Sequence, residues 1–432
     1  MAGMGFALRM VAGVTFLLIT LASGQSNQDD LMIPPSSQPL SGNAKLYQAS
    51  QRFALNFFKS VSEFYDGEQN TQVLNMILSP LTVWSLLALI SEGASGKTLQ
   101  EILNVLNIDN QADISANYKS FQQEINSNTQ DVEISSRQFL FTDINRPISR
   151  DFDRAVDTHY GTDLHEALDF SSSAENIKKS YDYINDAVFK ATNGQISKVV
   201  HPKDIMQARM IVISALFFQG QWTLPFNRSL TNTVPFYDEK EKIIANVSMM
   251  YQKAVFPFAA FRELDAQIVE LPYGPDRQLS MMVILPRKGV PLHEVVRRLV
   301  QFDMQTIYRE LKQAAEEYED DEVEVFLPRF EITADYHLNS VLFNMGVKAA
   351  MSKETAEFEK IASEVFLGAV VQKSKIIVNE EGTTAASASA AVFANKSTPP
   401  KFLANRAFAF IIVDKRYDVI LFMGQVKQPL AA

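Results

Sequence analysis

Glu380-Glu381-Gly382-Thr383-Thr384-Ala385-Ala386-Ser387-Ala388-Ser389 joins a β-like run to a segment ending near Lys396-Ser397, and it constrains this chain more than any other stretch. Upstream, Lys375-Ile376-Ile377-Val378 has the β-branched content of a buried strand, and downstream Ala407 to Val413 is a second strand candidate. If the intervening residues entered a sheet as a strand, Thr383, Ala385, Ser387, Ser389 and Ala391 would share one face, and all fit a tight space. The stretch reads as a hinge. Taken alone, such a run would be a flexible low-complexity linker, so the residues around it decide.

Those neighbours occur in a specific order. Ile77-Leu78-Ser79-Pro80-Leu81-Thr82 reads as a helix entrance, and Glu92-Gly93-Ala94-Ser95-Gly96-Lys97-Thr98 as the turn after it. Thr192-Asn193-Gly194-Gln195-Ile196, Ala215 to Trp222 with Pro225-Phe226, and Phe408 to Phe422-Met423-Gly424 follow. From about Tyr47 to Pro429 the chain resembles the serpins, serine protease inhibitors that trap a protease by inserting a cleaved loop into their own central sheet. The resemblance implies an α+β fold with about eight or nine helices around three β-sheets and an exposed reactive-centre loop, about residues 380–402. It also implies one domain over residues 47–430, and no long linker or repeat interrupts that span.

In the family the scissile bond follows the hinge glycine at a nearly fixed interval. Fourteen positions after Gly382 lies Lys396, with Ser397 beyond the bond and Pro399-Pro400 matching a proline pair common past the cleavage site. The resemblance therefore implies a suicide substrate. A trypsin-like serine protease, whose specificity pocket carries a carboxylate, would accept Lys396, attack its carbonyl and form an acyl-enzyme as the new amino end at Ser397 departs. Rapid insertion of the hinge would then trap that enzyme. Gly382 supplies backbone freedom, and the Ala, Ser and Thr residues after it bring no charge, proline or bulk that would slow insertion. A non-inhibitory relative would have lost this mobility. Glu380 can pair with a basic partner near the breach, where insertion begins, whereas Glu381 is as readily a solvated acid as a paired one.

Where sheet strands must part, the alignment puts Ser214 in place of the usual Asn and Gln372 in place of a common His. Ser and Gln can still hydrogen-bond, without a pH-sensitive imidazole. Asn75, Ser79 and Thr82 match the polar set beneath this shutter pair. Trp222 is expected to pack at the breach.

Residues Met1 to Gly24 read as a signal peptide, with Arg9 in a basic leader, an apolar core from Val11 to Leu21 and small residues Ala22-Ser23-Gly24 for cleavage. The expectation is a secreted, extracellular protein, with residues 25–46 a disordered extension. No segment is long enough to span a membrane. The 432 residues, 47% hydrophobic, suffice for a large core, which a secreted chain without cysteine must depend on.

A net charge of −10 argues against nucleic acid and anionic membranes as partners. Heparin is not expected either, because the stretch Ile114 to Ile125, aligned with the family's basic helix, carries only Lys119. The acidic run Glu316 to Glu324 reads as a solvated loop. The histidines, His159, His165, His201, His293 and His337, show no close metal-ligand pair, and no metal or cofactor is expected. Without a Gly-x-Ser-x-Gly elbow or a histidine in a catalytic setting, the chain is not read as an enzyme. It is expected to act as a monomer. Asn227 and Asn246 head glycosylation sequons, and a third, at Asn395, touches the reactive bond, where a glycan would obstruct a protease.

Local patterns agree. Phe53, Phe57, Val61 and Phe64 have helical spacing within Gln48 to Tyr65, and Leu81 to Ile90 suits a buried helix. Val323, Val325 and Leu327 alternate as a strand before Pro328. A second strand is expected over Phe330 to Thr333, then a helix capped by Asp335 and ended by Gly346.

Overall fold

The computed structural model describes residues 43–67, 75–125, 132–160, 164–171, 173–206, 208–317, 322–381 and 399–429. The chain begins with α1 (Ala44–Gly67), β1 (Asn75–Leu78), α2 (Pro80–Ser91), α3 (Gly96–Leu106) and α4 (Gln111–Ile125). It continues through β2 (Val132–Asp143), α5 (Arg150–Ala155), β3 (Leu164–Leu168), α6 (Ala174–Ala191), α7 (Pro202–Ile205) and β4 (Met210–Gly220). Next come β5 (Asn232–Tyr237), β6 (Ile243–Ala254), β7 (Phe258–Phe261), β8 (Ala266–Tyr273) and β9 (Leu279–Pro286). Two helices, α8 (Leu292–Leu299) and α9 (Met304–Glu317), precede β10 (Val323–Pro328), β11 (Phe330–His337) and α10 (Asn339–Met345). The last strands are β12 (Leu367–Val378), β13 (Lys401–Leu403), β14 (Phe408–Asp414) and β15 (Val419–Val426). Of the ten α-helical segments among the described residues, α5 and α7 have six residues or fewer. The expected count corresponds to the longer ones.

Three sheets form, in the orders β11-β12-β4-β2-β3, β1-β15-β14-β9-β8-β7 and β13-β10-β6-β5. The six-stranded sheet is buried on both sides: every residue of β9, β14 and β15 is shielded, which is why these strands read as nearly continuous apolar runs. At its centre Gly424 lets β15 lie close to its neighbours, since a Cβ there would come within 2.5 Å of the Met76 carbonyl.

The helical pattern of α1 buries Phe53, Phe57 and Val61 completely, with the two phenylalanine rings stacked at 5.3 Å. The helix starts at Ala44, three residues inside the stretch expected to be a disordered extension, because Leu46 is fully buried and Asn43 donates to Glu124. Helix α2 has proline at its start and scarcely a polar face, and it is buried almost throughout. In the second half, β11 extends to His337 instead of ending at Thr333. Asp335 therefore sits within the strand, paired with Lys373, and does not cap α10; Leu338 occupies the cap position. Gly346 ends α10 with φ of +125°, a value that suits glycine.

The five-stranded sheet divides the core. Met210, Val212, Leu216 and Phe218 of β4 face the main core, whereas Ile211, Ile213 and Ala215 face a second cluster closed by Ile177, Ile184 and Val188 of α6. Among the described residues no helix is long and apolar enough to cross a membrane.

Candidate functional site

β12 and β4 are parallel neighbours, paired from Leu367↔Met210 to Ile376↔Phe218 with one irregularity between Leu367 and Ala369. The chain leaves β12 through Asn379, Glu380 and Glu381 and re-enters the described structure at Pro399, before β13 joins β10 in another sheet. The expected reactive pair Lys396-Ser397, the sequon at Asn395, and the expected hinge residues Gly382, Thr383, Thr384, Ala385, Ala386, Ser387, Ala388 and Ser389 lie outside the described residues. The described structure shows what holds Asn379, Glu380 and Glu381, from which the expected hinge departs.

Residues from β4's far end to β5 make a clasp on that start. Trp222 Nε1 donates to the Asn379 carbonyl at 2.8 Å, and the Phe226 amide donates to the Glu380 carbonyl at 2.9 Å. Trp222 is held flat on Tyr273, ring centroids 4.3 Å apart at 12°, and burial pushes the Tyr273 phenol well above its ordinary range. The Glu380 carboxylate is buried. It accepts from Thr231 Oγ1 at 2.7 Å and lies 3.5 Å from Arg329 Nε, an ion-pair distance at which Nε forms no hydrogen bond. A buried carboxylate needs such partners, because desolvating an unpaired charge costs several kcal/mol. The expected pairing of Glu380 with a base is thus present. Of the two readings open for Glu381, pairing holds: it lies 2.7 Å from Arg228, because the short helical turn at Arg228–Leu230 brings the guanidinium to it.

Deeper in the sheet, Gln372 on β12 lies opposite Ser214 on β4, and both point toward the start of α2. Gln372 Nε2 donates to the Ser79 carbonyl at 2.8 Å and to Thr82 Oγ1 at 3.1 Å, while Gln372 Oε1 accepts from the Ser79 amide at 3.2 Å. Ser214 Oγ donates to Thr82 Oγ1 at 2.6 Å, and Gln372 Nε2 stands 3.4 Å from Ser214 Oγ. Thr82 also bonds back to the Ser79 carbonyl at 3.0 Å, the ordinary behaviour of a threonine in a first helical turn. All four residues are buried. Asn75 is not part of this set. It lies on β1, and its side chain clamps the C-terminal end of the chain, donating to the Gln428 carbonyl at 2.7 Å and accepting from the Lys427 and Gln428 amides.

Arg228, Thr231 and Arg329 were not singled out from sequence. Each lies just beyond a strand or in a short turn, about 50 to 150 residues from its acidic partner, and no spacing connects them. The sequons at Asn227 and Asn246 are both exposed, and Asn227 Oδ1 accepts from Ser229 N and Oγ. The acidic run is not uniformly solvated: Glu322 pairs with Lys253, and Glu324 accepts from Tyr251 and lies 3.8 Å from Lys401. His201 and His337 come together, ring centroids 6.3 Å apart, beside Asp204. Among the described residues no cluster of three or more His, Asp or Glu is arranged to hold a metal.

The geometry permits one large rearrangement. A strand that followed β12 by a tight return and entered between β12 and β4 would run antiparallel to both. It would replace one parallel ladder by two antiparallel ones, which pair slightly better per residue. To enter, it would have to part the Gln372–Ser214 contact and pass the clasp at Trp222 and Glu380.

Comparison with known proteins gives a consistent result. Residues 48–429 match the family model described as serpin, serine protease inhibitor. The chain is 31% identical to human serpin B9 over 390 residues, covering 89% of this chain and 99% of that protein. Among solved structures, the insect Tenebrio molitor Serpin48 superposes with a TM-score of 0.73 at 25% identity, covering 89% of this chain and 98% of that one. Manduca sexta serpin-12 superposes at 0.75 with 24% identity, covering 89% and 99%, and so supports the fold.

Proposed function

The chain belongs to the serpin family of serine protease inhibitors, and from that premise we propose that it is a secreted suicide-substrate inhibitor of a trypsin-like protease, with Lys396-Ser397 as its reactive bond. The observation that carries this reading is the junction at Glu380 and Glu381. A hinge of small, uncharged residues starts there, where β12 and β4 lie parallel and side by side.

Cleavage would form an ester between the protease serine and the Lys396 carbonyl, releasing the amino end of Ser397. The freed hinge, Gly382 to Ser389 and beyond, would then enter between β12 and β4 and carry the acylated enzyme with it. Insertion competes with hydrolysis of the ester, so every barrier along the gap sets the yield of trapping. The clasp at Trp222, Thr231 and Arg329 and the shutter at Gln372, Ser214, Thr82 and Ser79 are such barriers.

The organisation that goes with this reading is a signal peptide over residues 1–24, a short extension, one domain from Tyr47 to Leu430, and glycans at the exposed Asn227 and Asn246. Asn395 would remain unmodified in an active molecule. A basic reactive residue without a run of bases before it favours an extracellular trypsin-like enzyme within a proteolytic cascade.

Incubation of the purified chain with trypsin, followed by denaturing electrophoresis and mass analysis, tests the reading. The expected result is a complex that survives denaturation and a released peptide beginning at Ser397. Cleavage at that bond without a complex would reject trapping. Absence of cleavage there would reject the assigned bond.

A further inference from the structure

Between the four-stranded and six-stranded sheets lies a cavity of about 520 Å3, within the range of small-molecule sites. Four stretches wall it: the β5–β6 hairpin from Tyr237, which brings Asp238, Glu239 and Glu241, Gln267 of β8, the end of β9 with the approach to α8, and the chain that runs from β13 to β14. Tyr237, Val290, Leu403 and Ala407 supply partly exposed apolar surface, backed by the buried Leu285 and Leu292.

One cation there has no carboxylate at ion-pair distance among the described residues. Arg406 lines the cavity half-buried, and its Nε and Nη2 donate to the Pro286 carbonyl at 3.0 and 2.6 Å. Burial holds its guanidinium below the ordinary range, and the Glu241 carboxylate across the cavity opposes that shift. Two of its five N–H groups are thus used, and among the described residues it forms no ion pair. The other cations around the cavity do. Lys288 pairs with Glu241 at 3.0 Å, Arg287 with Asp265 at 3.4 Å, and Lys401 with Glu324 at 3.8 Å. A half-buried guanidinium without a close carboxylate is only partly compensated, and its planar fork matches a carboxylate through two parallel hydrogen bonds.

We propose that this cavity binds an amphipathic organic acid, its carboxylate paired with Arg406 and its hydrocarbon body lying against Tyr237, Val290, Leu403 and Ala407. Such a ligand would join the segment that follows the reactive loop to the approach of α8. It would thereby fasten β13, which has only three paired positions on β10. The assignment does not depend on which protease, if any, the loop engages.

Isothermal titration of the full chain with sodium decanoate, below its micellar concentration, tests the site against decanol as the uncharged control. Saturable one-to-one binding of decanoate is expected, with decanol at least tenfold weaker. Arg406→Gln should lose the preference for decanoate, whereas Arg406→Lys should keep part of it. No saturable binding by the native chain, or equal binding of acid and alcohol, would overturn the proposal. Because Arg406 also braces the Pro286 carbonyl, hydrogen exchange on the native chain provides a second readout that needs no variant. Decanoate should slow exchange over residues 285–292 and 401–408. Protection confined to other parts of the molecule would reject this cavity as the site.

Discussion

Gln372 and Ser214 face each other across the parallel pair β12 and β4, 3.4 Å apart, and Gln372 continues beneath the sheet to both the amide and the carbonyl of Ser79. One side chain therefore ties two strands to the start of α2. Any motion that parts the strands must break at least part of this set while its members are still shielded from water.

Truncating that side chain should be felt throughout the molecule. Gln372→Ala leaves the buried Ser79 amide without its Oε1 acceptor, which costs about 1–3 kcal/mol, while the Ser79 carbonyl keeps Thr82 Oγ1 as donor. A lower urea midpoint with an unchanged native far-UV spectrum is expected. A midpoint equal to that of the native chain would show that the buried set contributes nothing to holding the sheet shut.

At the hinge start, Arg329→Met removes the cation nearest the buried Glu380 carboxylate. Destabilisation of about 1–3 kcal/mol is expected, less than for a fully buried pair because Arg329 itself is partly exposed. Adding Glu380→Gln should recover part of the loss, since the uncompensated charge is then gone. Strict additivity of the two substitutions in denaturant titrations would mean that Arg329 and Glu380 do not interact.

A charge placed at the front of the inserting segment should separate cleavage from trapping. In the proposed mechanism Thr383→Arg would still be cut after Lys396, but insertion would have to bury a guanidinium, and slowing by orders of magnitude follows from a barrier increase of several kcal/mol. Gel analysis should show cleaved chain and active trypsin. Undiminished complex formation would mean that residue 383 stays outside the sheet.

Stability should carry a mild acidic bias from Asp418. Burial pushes its carboxyl up to about 6, with Asp303 and Asp414 adding to the rise and Gln305 opposing it, and Oδ1 has no hydrogen-bond partner. Because the folded-state value lies above the unfolded one, the folded chain binds the proton more tightly. This contribution is full below about pH 4 and is lost as pH rises through about 6. Asp418→Asn should therefore stabilise the chain at pH 7–8 by about 1–2 kcal/mol and flatten the pH profile between 4 and 6. Asn also tolerates the left-handed φ of +57° at this position. Thermal melts at pH 4.5 and 7.5 give the comparison, and an Asp418→Asn chain no more stable than the native one at pH 7.5 would refute the assignment.

Much of this architecture is legible in the residues. Alternation at Val323, Val325 and Leu327 and helical spacing at Phe53, Phe57 and Val61 report burial directly, because one face of each element meets the core. The small-residue run after Gly382 is equally plain, as it breaks the composition on either side. What sequence did not reveal are contacts made by single side chains over long separations. Arg329 and Thr231 reach Glu380, and Arg228 reaches Glu381, from turns whose positions depend on how two sheets meet. Asp335 misled for a related reason. An acidic residue ahead of a helical pattern resembles a cap, but pairing along β12 continues β11 past it to His337. Asn75 matched a motif by position, whereas its place on an edge strand turns its amide to the chain's C-terminal end.

The nine parallel pairings between β12 and β4 have a consequence for dosage. Once a new strand had filled that gap, return would mean expelling a fully paired strand, so a molecule of this design would act once and be used up. Its effect on a protease would then follow a titration, one for one. Enzyme activity would stay low until the active protease exceeded the supply of inhibitor and would then rise steeply, so the rate at which this chain is synthesised would set the threshold.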